Sequence, residues 1–195
     1  QTTVDTIDLA KLSAYLQAPG RWIIADEILQ QYYPQLFQDL DVASTLYLAA
    51  GESNKTHRQL LKVYQWMLKA GVQRSSEFVV LGGGTITDLA AYAVATFMRG
   101  CKLTLVPSTL IGMVDAAIGG KTGLNLEGYK NLVGCFYPAH RVLLVLDFLE
   151  SLPMAERRQG WAEIIKLYLM SPLLTWEQIP KDLMPSQELV MQCMA

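Results

Sequence analysis

The sequence is poor in charge and has no long apolar run. Charged residues make up 17% of the 195, against 51% hydrophobic, and 16 Lys and Arg nearly balance 18 Asp and Glu for a formal net charge of −2. With a pI near 5.7, no broad basic surface is available to a phosphate backbone. Nucleic acid is therefore excluded as an expected partner, and any anion must be bound locally. The longest apolar stretches, such as RVLLVLDFL, are much too short to span a bilayer, and the first residues lack the charged-then-apolar pattern of a secretory signal; no membrane is expected, and a cytoplasmic location is. Cys101, Cys135 and Cys193 are an odd, widely spaced set without CxxC, which argues against a disulfide framework and a cysteine-only metal site and fits a reducing compartment. Only two histidines occur, His57 and His140. Each reads more readily as a polar surface residue, one at a helix start and one before a strand, than as a metal ligand. There is no low-complexity segment and no internal repeat.

What is present is an alternation of short apolar runs with longer segments of helical period. That pattern predicts an α/β protein with a Rossmann-like, mostly parallel sheet and helices on both faces. Strands are expected at Trp22 to Ala25, Thr45 to Ala49, Phe78 to Leu81, Leu103 to Val106 and Val142 to Leu146. A helical stretch is expected from the first strand through Leu40. A second helix, THRQLLKVYQWMLKAG, should set Leu60, Leu61, Tyr64, Met67 and Leu68 on one side and stop at Gly71. After Pro153 the pattern is helical only. Residues 1–152 are thus expected to form a nucleotide-binding α/β domain, and residues 153–195 the truncated start of an all-helical C-terminal domain. SQELVMQCMA ends on apolar residues without a helix-stop signal, so the chain is expected to be a fragment that leaves Leu189, Val190 and Met194 without partners.

Several motifs carry chemistry, each with a plainer alternative. The strand at Phe78 to Leu81 runs into LGGGTITDL, where glycine would let backbone N–H groups and a helix N-terminus approach an anion. The spacing is not GxGxxG, and a tight strand-to-helix turn explains the glycines equally well. Asp88, placed in the first turn of that helix, is either a ligand contact or an acid compensating the helix dipole. GESNK, with Glu52 and Lys55, follows another strand end and is either part of a ligand crevice or a solvated turn. Convergence speaks for a site, since Glu52, Gly83, Thr109 and the DAAIGGK loop all fall at or after carboxyl ends of predicted strands. GGKTGLN lacks the GxxxxGK[ST] spacing of a P-loop, which disfavours Walker-type ATP binding. Lys121 in its glycine turn, Arg99 in MRG, and Lys130 beside Asn131 nevertheless offer separate cations suited to a phosphate. In GWAEIIK, Glu163 and Lys166 share a helix face, as a surface ion pair or, for Glu163, as a zinc ligand if histidines were suitably placed.

The ordered set GESNK, LGGGTITDLAAYAVATFMRG, VPSTLIGMVDAAIGGKTGLN, KNLVGCFYP and GWAEIIK resembles the dehydroquinate synthase family of sugar phosphate cyclases. The likeness extends over about residues 22 to 170, and the stretch from LGGG to GGKTG is its most specific part. The resemblance implies NAD as cofactor, zinc or cobalt as metal, a seven-carbon sugar acid phosphate as substrate, and a homodimer. It implies cofactor contacts from Asp26, Glu52, Lys55, Gly83, Gly84, Asp88, Ser108, Thr109, Lys130, Phe148 and Ser151. It implies substrate contacts from Arg99, Asp115, Lys121, Asn131, Glu163 and Lys166, with Arg99 and Lys121 as the phosphate pair and Asp115, Lys121 and Lys166 as the catalytic group. Glu163 matches one zinc ligand; the others are expected outside this chain, and neither His57 nor His140 matches them.

The implied chemistry is a transient oxidation of a ring carbinol that lets phosphate leave, a return of the hydride, and a ring opening and closure to a carbocycle, so that NAD is not consumed. Some positions depart from the family pattern: Thr87 stands where Gly is usual, Ala91 at another such place, Ala116 and Ala117 where Ser is common, and Leu126 and Glu127 in place of a frequent His-Pro. None removes a charged contact. They leave open a related cyclase acting on another sugar phosphate, a deoxy-inosose or valiolone synthase. A metal-dependent polyol dehydrogenase would share the glycine-rich start without needing the GGKT loop, and a noncatalytic nucleotide-binding module is the reading from another class.

Overall fold

A computed structural model of the chain describes residues 2–170, 180 and 182–194. Its regular elements follow the chain as β1 (Thr3–Thr6), α1 (Leu9–Gln17), β2 (Arg21–Asp26), α2 (Ile28–Tyr32), β3 (Thr45–Leu48), α3 (His57–Lys69), β4 (Glu77–Gly82), α4 (Gly84–Thr96), β5 (Lys102–Pro107), β6 (Lys121–Leu126), β7 (Tyr129–Phe136), β8 (Arg141–Leu144), α5 (Phe148–Ser151), α6 (Met154–Met170) and α7 (Gln187–Cys193). Six strands form one parallel sheet in the order β1-β8-β5-β4-β2-β3, and β6 and β7 pair apart from it as an antiparallel hairpin. The register aligns Val4, Val142, Leu105, Val80 and Ile24 across five strands. In β4, Phe78, Val79, Val80 and Leu81 are all 0% exposed. Successive strand residues point to opposite faces, so the sheet is covered on both sides. The expected Rossmann-like α/β class is thus the observed one.

The elements depart from the sequence reading where local chemistry intervenes. The expected helix through Leu40 stops at Tyr32, because Pro34 opens a short 3-10 turn, Pro34–Leu36, and bars Tyr33 from helical geometry. On α3, Thr56 caps the first turn by accepting from Gln59 N at 3.3 Å. The buried stripe there is Leu60, Val63 and Met67, while Leu61 and Leu68 are 56% and 68% exposed and lie off the expected face. The stop at Gly71 is as expected: its φ of +72° lets Val72 N reach Met67 O at 3.1 Å, closing the last turn. The GGKTGLN stretch, read as loop, and the residues after it to Phe136, which carried no expectation, instead form the hairpin, turned at Glu127 and Gly128 with φ of 49° and 83°, a two-residue turn whose twist suits antiparallel strands. β1 and α1 carried no expectation.

The last helices pack onto the same body. Trp161, Ile164, Tyr168, Leu189 and Val190 belong to the buried core with the sheet. The expectation that Leu189 and Val190 lack partners is therefore corrected: they are 3% and 0% exposed, and α7 lies against the π-turn Gly112–Ala116. Gly160 sets how closely α6 docks. A Cβ there would stand 2.5 Å from the Leu110 side chain and 2.9 Å from Ile111 N. Among the described residues no helix is long and apolar enough to cross a membrane.

Gly160→Ala forces a methyl group against backbone that has no room to yield. It is expected to cost about 1 to 3 kcal/mol, the usual range for overpacking. Denaturant unfolding checks this, and an unchanged midpoint would show that α6 docks less closely than its geometry indicates.

Candidate functional site

Strand order decides where a ligand crevice lies. After β2 the chain steps outward to β3, and after β4 it steps the other way to β5, so the direction reverses between the neighbouring strands β2 and β4. Open α/β sheets hold ligands beyond the carboxyl ends of strands at such a reversal. At this place Asp26 ends β2, 6% exposed, its carboxylate accepting from Ile28 N at 3.2 Å. Burial pushes the Asp26 carboxyl above the ordinary range, with Glu27 and Glu156 adding in the same direction and the Ile28 bond opposing. Beside it, Gly83 is the N-cap of α4 and supplies no side-chain cap. A Cβ on Gly83 would meet the Thr109 methyl at 3.0 Å, a tight contact that glycine avoids. Ile86 N donates to Gly83 O at 3.0 Å, and with no side-chain cap the N–H groups ahead of it at the head of α4 face the crevice, where the helix dipole favours an anion. Gly84, at the head of α4, would bring a Cβ no nearer than 3.6 Å to its neighbour, Ala116. Neighbouring loops are tied to this turn: Ser108 N donates to Gly82 O at 3.0 Å and Gly51 N to Thr85 Oγ1 at 3.3 Å; within the segment after β5, Gly112 N donates to Thr109 Oγ1 at 3.1 Å.

Lys55 is the most buried charge of the group, 3% exposed. Its ammonium donates to Asp88 Oδ2 at 2.5 Å and to Asn131 Oδ1. Asp88 lies beyond the first turn of α4, which holds no acid, so the expected first-turn position is corrected and the helix dipole does not account for this residue. Burial is the main cause that pushes its carboxyl above the ordinary carboxylate range; Glu52 and Asp115 push the same way and the Lys55 ammonium opposes. Glu52 accepts from Asn125 Nδ2 at 2.7 Å, and Lys130, largely exposed, stands 3.9 Å from the same carboxylate.

Between α4, the π-turn and the hairpin opens a cavity of 490 Å³, to which Asp88, Asp115, Lys121 and Asn131 contribute polar groups, with Leu132 and Phe136 on the apolar side. Lys166 on α6 pairs with Glu163, and its hydrogen bond to that carboxylate, followed by the negative charges of Glu163 and Asp115, raises its ammonium pKa. α6 packs against the same π-turn that carries Asp115. The structure does not bring Arg99 to this cavity. It is exposed past the far end of α4, just before β5, with φ of 65°. Phe148 is buried edge-on to Tyr33, and Ser151 Oγ accepts from the Tyr33 hydroxyl at 2.9 Å, so both visibly serve to dock α5. His57 begins α3, and His140 lines a separate crevice with Cys101 and Tyr137. Among the described residues no three His, Cys, Asp or Glu side chains gather to hold a metal, so Glu163 offers one donor of an incomplete set. Asn125 closes the GGKTGLN stretch but was given no role from the sequence, and the apolar wall was not singled out. The alternation in YKNLVGCF and the Glu127-Gly128 turn were the available signals for a hairpin that brings them here.

Residues 45–159 match the family model described as 3-dehydroquinate synthase N-terminal. The chain is 44% identical over 120 residues to the 3-dehydroquinate synthase of Sulfurisphaera tokodaii, covering 62% of this chain and 34% of that one. It is 40% identical over 165 residues to that of Acaryochloris marina, covering 84% and 43%. The chain thus spans less than half the length of these curated relatives. Among solved structures, 2-epi-5-epi-valiolone synthase from Streptomyces hygroscopicus subsp. jinggangensis, with NAD+ and Zn2+ bound, is similar with a TM-score of 0.79 and 27% identity, covering 100% of this chain and 59% of that one. A 2-deoxy-scyllo-inosose synthase shares the fold with a TM-score of 0.82 at 22% identity, over 98% of this chain and 57% of that one.

Replacing Lys55 by Met strips Asp88 of its counter-ion. The expected loss is about 2 to 3 kcal/mol near pH 7, somewhat below that of a fully buried pair because part of Asp88 meets solvent. Without Lys55 the Asp88 carboxyl rises further above its unfolded value, so the folded variant binds a proton more readily than the unfolded chain. The loss is then largest above that raised value and shrinks as pH falls through it. Denaturant melts of both chains at about pH 7 and about pH 5 check the sign; an equal loss at both would contradict it.

Proposed function

The chain belongs to the 3-dehydroquinate synthase family, and on that premise we propose that it supplies the cofactor- and phosphate-binding part of a cyclase. The proposed reaction converts 3-deoxy-D-arabino-heptulosonate 7-phosphate to 3-dehydroquinate with release of inorganic phosphate, a step of the shikimate pathway to aromatic amino acids. The observation that carries the reading is the cavity that sets Asp115, Lys121 and Asn131 beside the uncapped first turn of α4. When bound, NAD supplies a transient hydride acceptor, and zinc or cobalt supplies Lewis acidity at the carbinol. A valiolone synthase with NAD+ and Zn2+ bound, similar over 100% of this chain, supports that pairing.

In this reading the Gly83 and Gly84 backbone and the α4 N-terminus hold the pyrophosphate, as an uncapped turn suits. Asp26, Glu52, Lys55, Asp88, Ser108, Thr109 and Lys130 shape the rest of the cofactor's bed, while Phe148 and Ser151 support it through Tyr33. Lys121 and Asn131 take the phosphate, with Arg99 outside the cavity. Asp115 and Lys166 orient hydroxyl groups, because proximity and alignment are the main demands on side chains when a cofactor carries the redox step. Glu163 contributes one metal donor, and its pairing with Lys166 fixes where that carboxylate stands on α6. A cytoplasmic homodimer remains part of the proposal; cysteine usage and near-balanced charge support the compartment. A sister cyclase using another sugar phosphate is the second reading. It is supported by the likeness to valiolone synthase and by Ala116, which lines the cavity, and its buried neighbour Ala117, both in place of serine.

The test is phosphate release by full-length protein from the heptulosonate phosphate, compared with other sugar phosphates. Release from another sugar phosphate alone would select the sister reading. Lys121→Ala is expected to abolish release while leaving NAD affinity within about threefold, since a charge-assisted contact to phosphate is worth about 1.5 to 3 kcal/mol in binding and more as charge grows on the leaving group. Near-native turnover by that variant would remove Lys121 from the reaction.

A further inference from the structure

The loop on the cofactor side and the hairpin on the phosphate side meet at one side chain that the proposed function leaves unused. Asn125, near the end of β6, donates through Nδ2 to Glu52 Oε1 at 2.7 Å and to Glu52 O at 3.2 Å. Its Oδ1 accepts from Asn131 N at 3.1 Å, and its own N–H donates to Lys55 O at 2.8 Å. Asn131 has φ of 56°, a left-handed conformation that costs a side-chain-bearing residue energy and persists only where neighbours hold it. Its N–H is the group tied to Asn125. Its side-chain oxygen is taken by the Lys55 ammonium, so its amide orientation is set: the acceptor end is used, and its N–H donors are what it can offer an anion. Glu52, Asn125, Asn131, Lys55 and Asp88 therefore form one connected network spanning the β3–α3 loop, the hairpin and α4.

We infer that Asn125 is a positioning residue that couples the two halves of the crevice, holding Glu52 for the cofactor and Asn131 for the phosphate through the two ends of a single amide. The inference rests on the proposed function for the identity of the two ligands. An amide is required because one end must donate to a carboxylate while the other accepts from a backbone N–H, which neither Asp nor Leu can do. A merely structural tie between loop and hairpin would affect stability without linking the two ligands.

Asn125→Asp keeps the acceptor for Asn131 but sets a second carboxylate against Glu52. In full-length protein this variant is expected to raise both the Kd for NAD, measured by calorimetric titration, and the KM for the heptulosonate phosphate by about tenfold, with kcat lowered less than about threefold. Adding Glu52→Gln to it lets the Gln amide donate to the new carboxylate, and should recover most of both losses. In the native background Glu52→Gln should weaken NAD, so the sign of its effect reverses between backgrounds. Asn125→Ser removes the Glu52 contact without adding charge and should show the same paired loss at about threefold, which guards against a misfolded aspartate variant. Unchanged constants in both single variants, or a double variant no better than Asn125→Asp, would overturn the role. Native protein that bound NAD but released no phosphate would instead sink the proposed reaction, and the NAD titration with its rescue would still decide the role of Asn125.

Discussion

A single buried ammonium organises the mouth of this sheet. Lys55 is almost fully enclosed, and a lysine so placed must be neutralised or lose its proton. Asp88 reaches it from α4, and Asn131 reaches it from the hairpin. Removing water from one charge thus fixes three otherwise separate pieces of chain: the loop after β3, the helix after β4, and the strand β7 that is not part of the main sheet. The hairpin makes no strand pairing with the parallel sheet, and the Lys55 contact, with the bond from Asn125 N to Lys55 O, is what registers its tip on the crevice.

Close backbone approach is the second constraint, and it works through missing side chains. A Cβ on Gly83 would press the Thr109 methyl at 3.0 Å, and one on Gly160 would collide with Leu110 at 2.5 Å and stand 2.9 Å from Ile111 N on the face of α6. The first glycine brings the β5 loop onto the α4 turn, while the second brings α6, with Glu163 and Lys166, onto the segment leading to Asp115. The π-turn at Gly112–Ala116 lies between them. Wide helical turns of this kind recur at functional positions, and here it points Asp115 to the cavity while Met113 and Val114 stay buried.

Much of this was legible from residue order because strand ends in a parallel sheet share one edge. Phe78 to Leu81 followed by glycines, and Thr45 to Ala49 followed by GESNK, each announced a strand with a polar loop at its carboxyl end. Two runs ending at the same edge must bring those loops together. The hairpin was not legible in the same way. Lys121 to Phe136 has glycines and polar residues on both strands and only a weak alternation, since one face of it borders a cavity and not a core. The stripe on α3 was misjudged for a related reason: Leu61 and Leu68 are as apolar as Leu60, and only packing tells which of adjacent leucines faces in. The position of Asp88 beyond the first turn followed from a helix that begins at Gly84, earlier than its first strong helix former. Arg99 illustrates a limit of motif order: it follows the glycine motif closely in sequence, but α4 intervenes, and about 20 Å of helix separates its two ends.

The same network explains why two lysines so near one crevice need not compete for one anion. Lys55 gives its hydrogen bonds to Asp88 and Asn131 and is buried, so an incoming anion would have to displace a carboxylate already at contact distance. Lys121 is exposed at the cavity and, among the described residues, takes part in no ion pair. An anion therefore gains most at Lys121, where a solvated ammonium has no carboxylate to surrender, and gains directional N–H donors from Asn131, whose carbonyl Lys55 holds away. Asp88 and Asp115 on the same cavity would repel an anion that settled elsewhere, which narrows its position to the hairpin side. The buried lysine shapes the site and the exposed one carries its free charge, a division that depends on Asp88 remaining ionised against the burial that pushes its carboxyl upward.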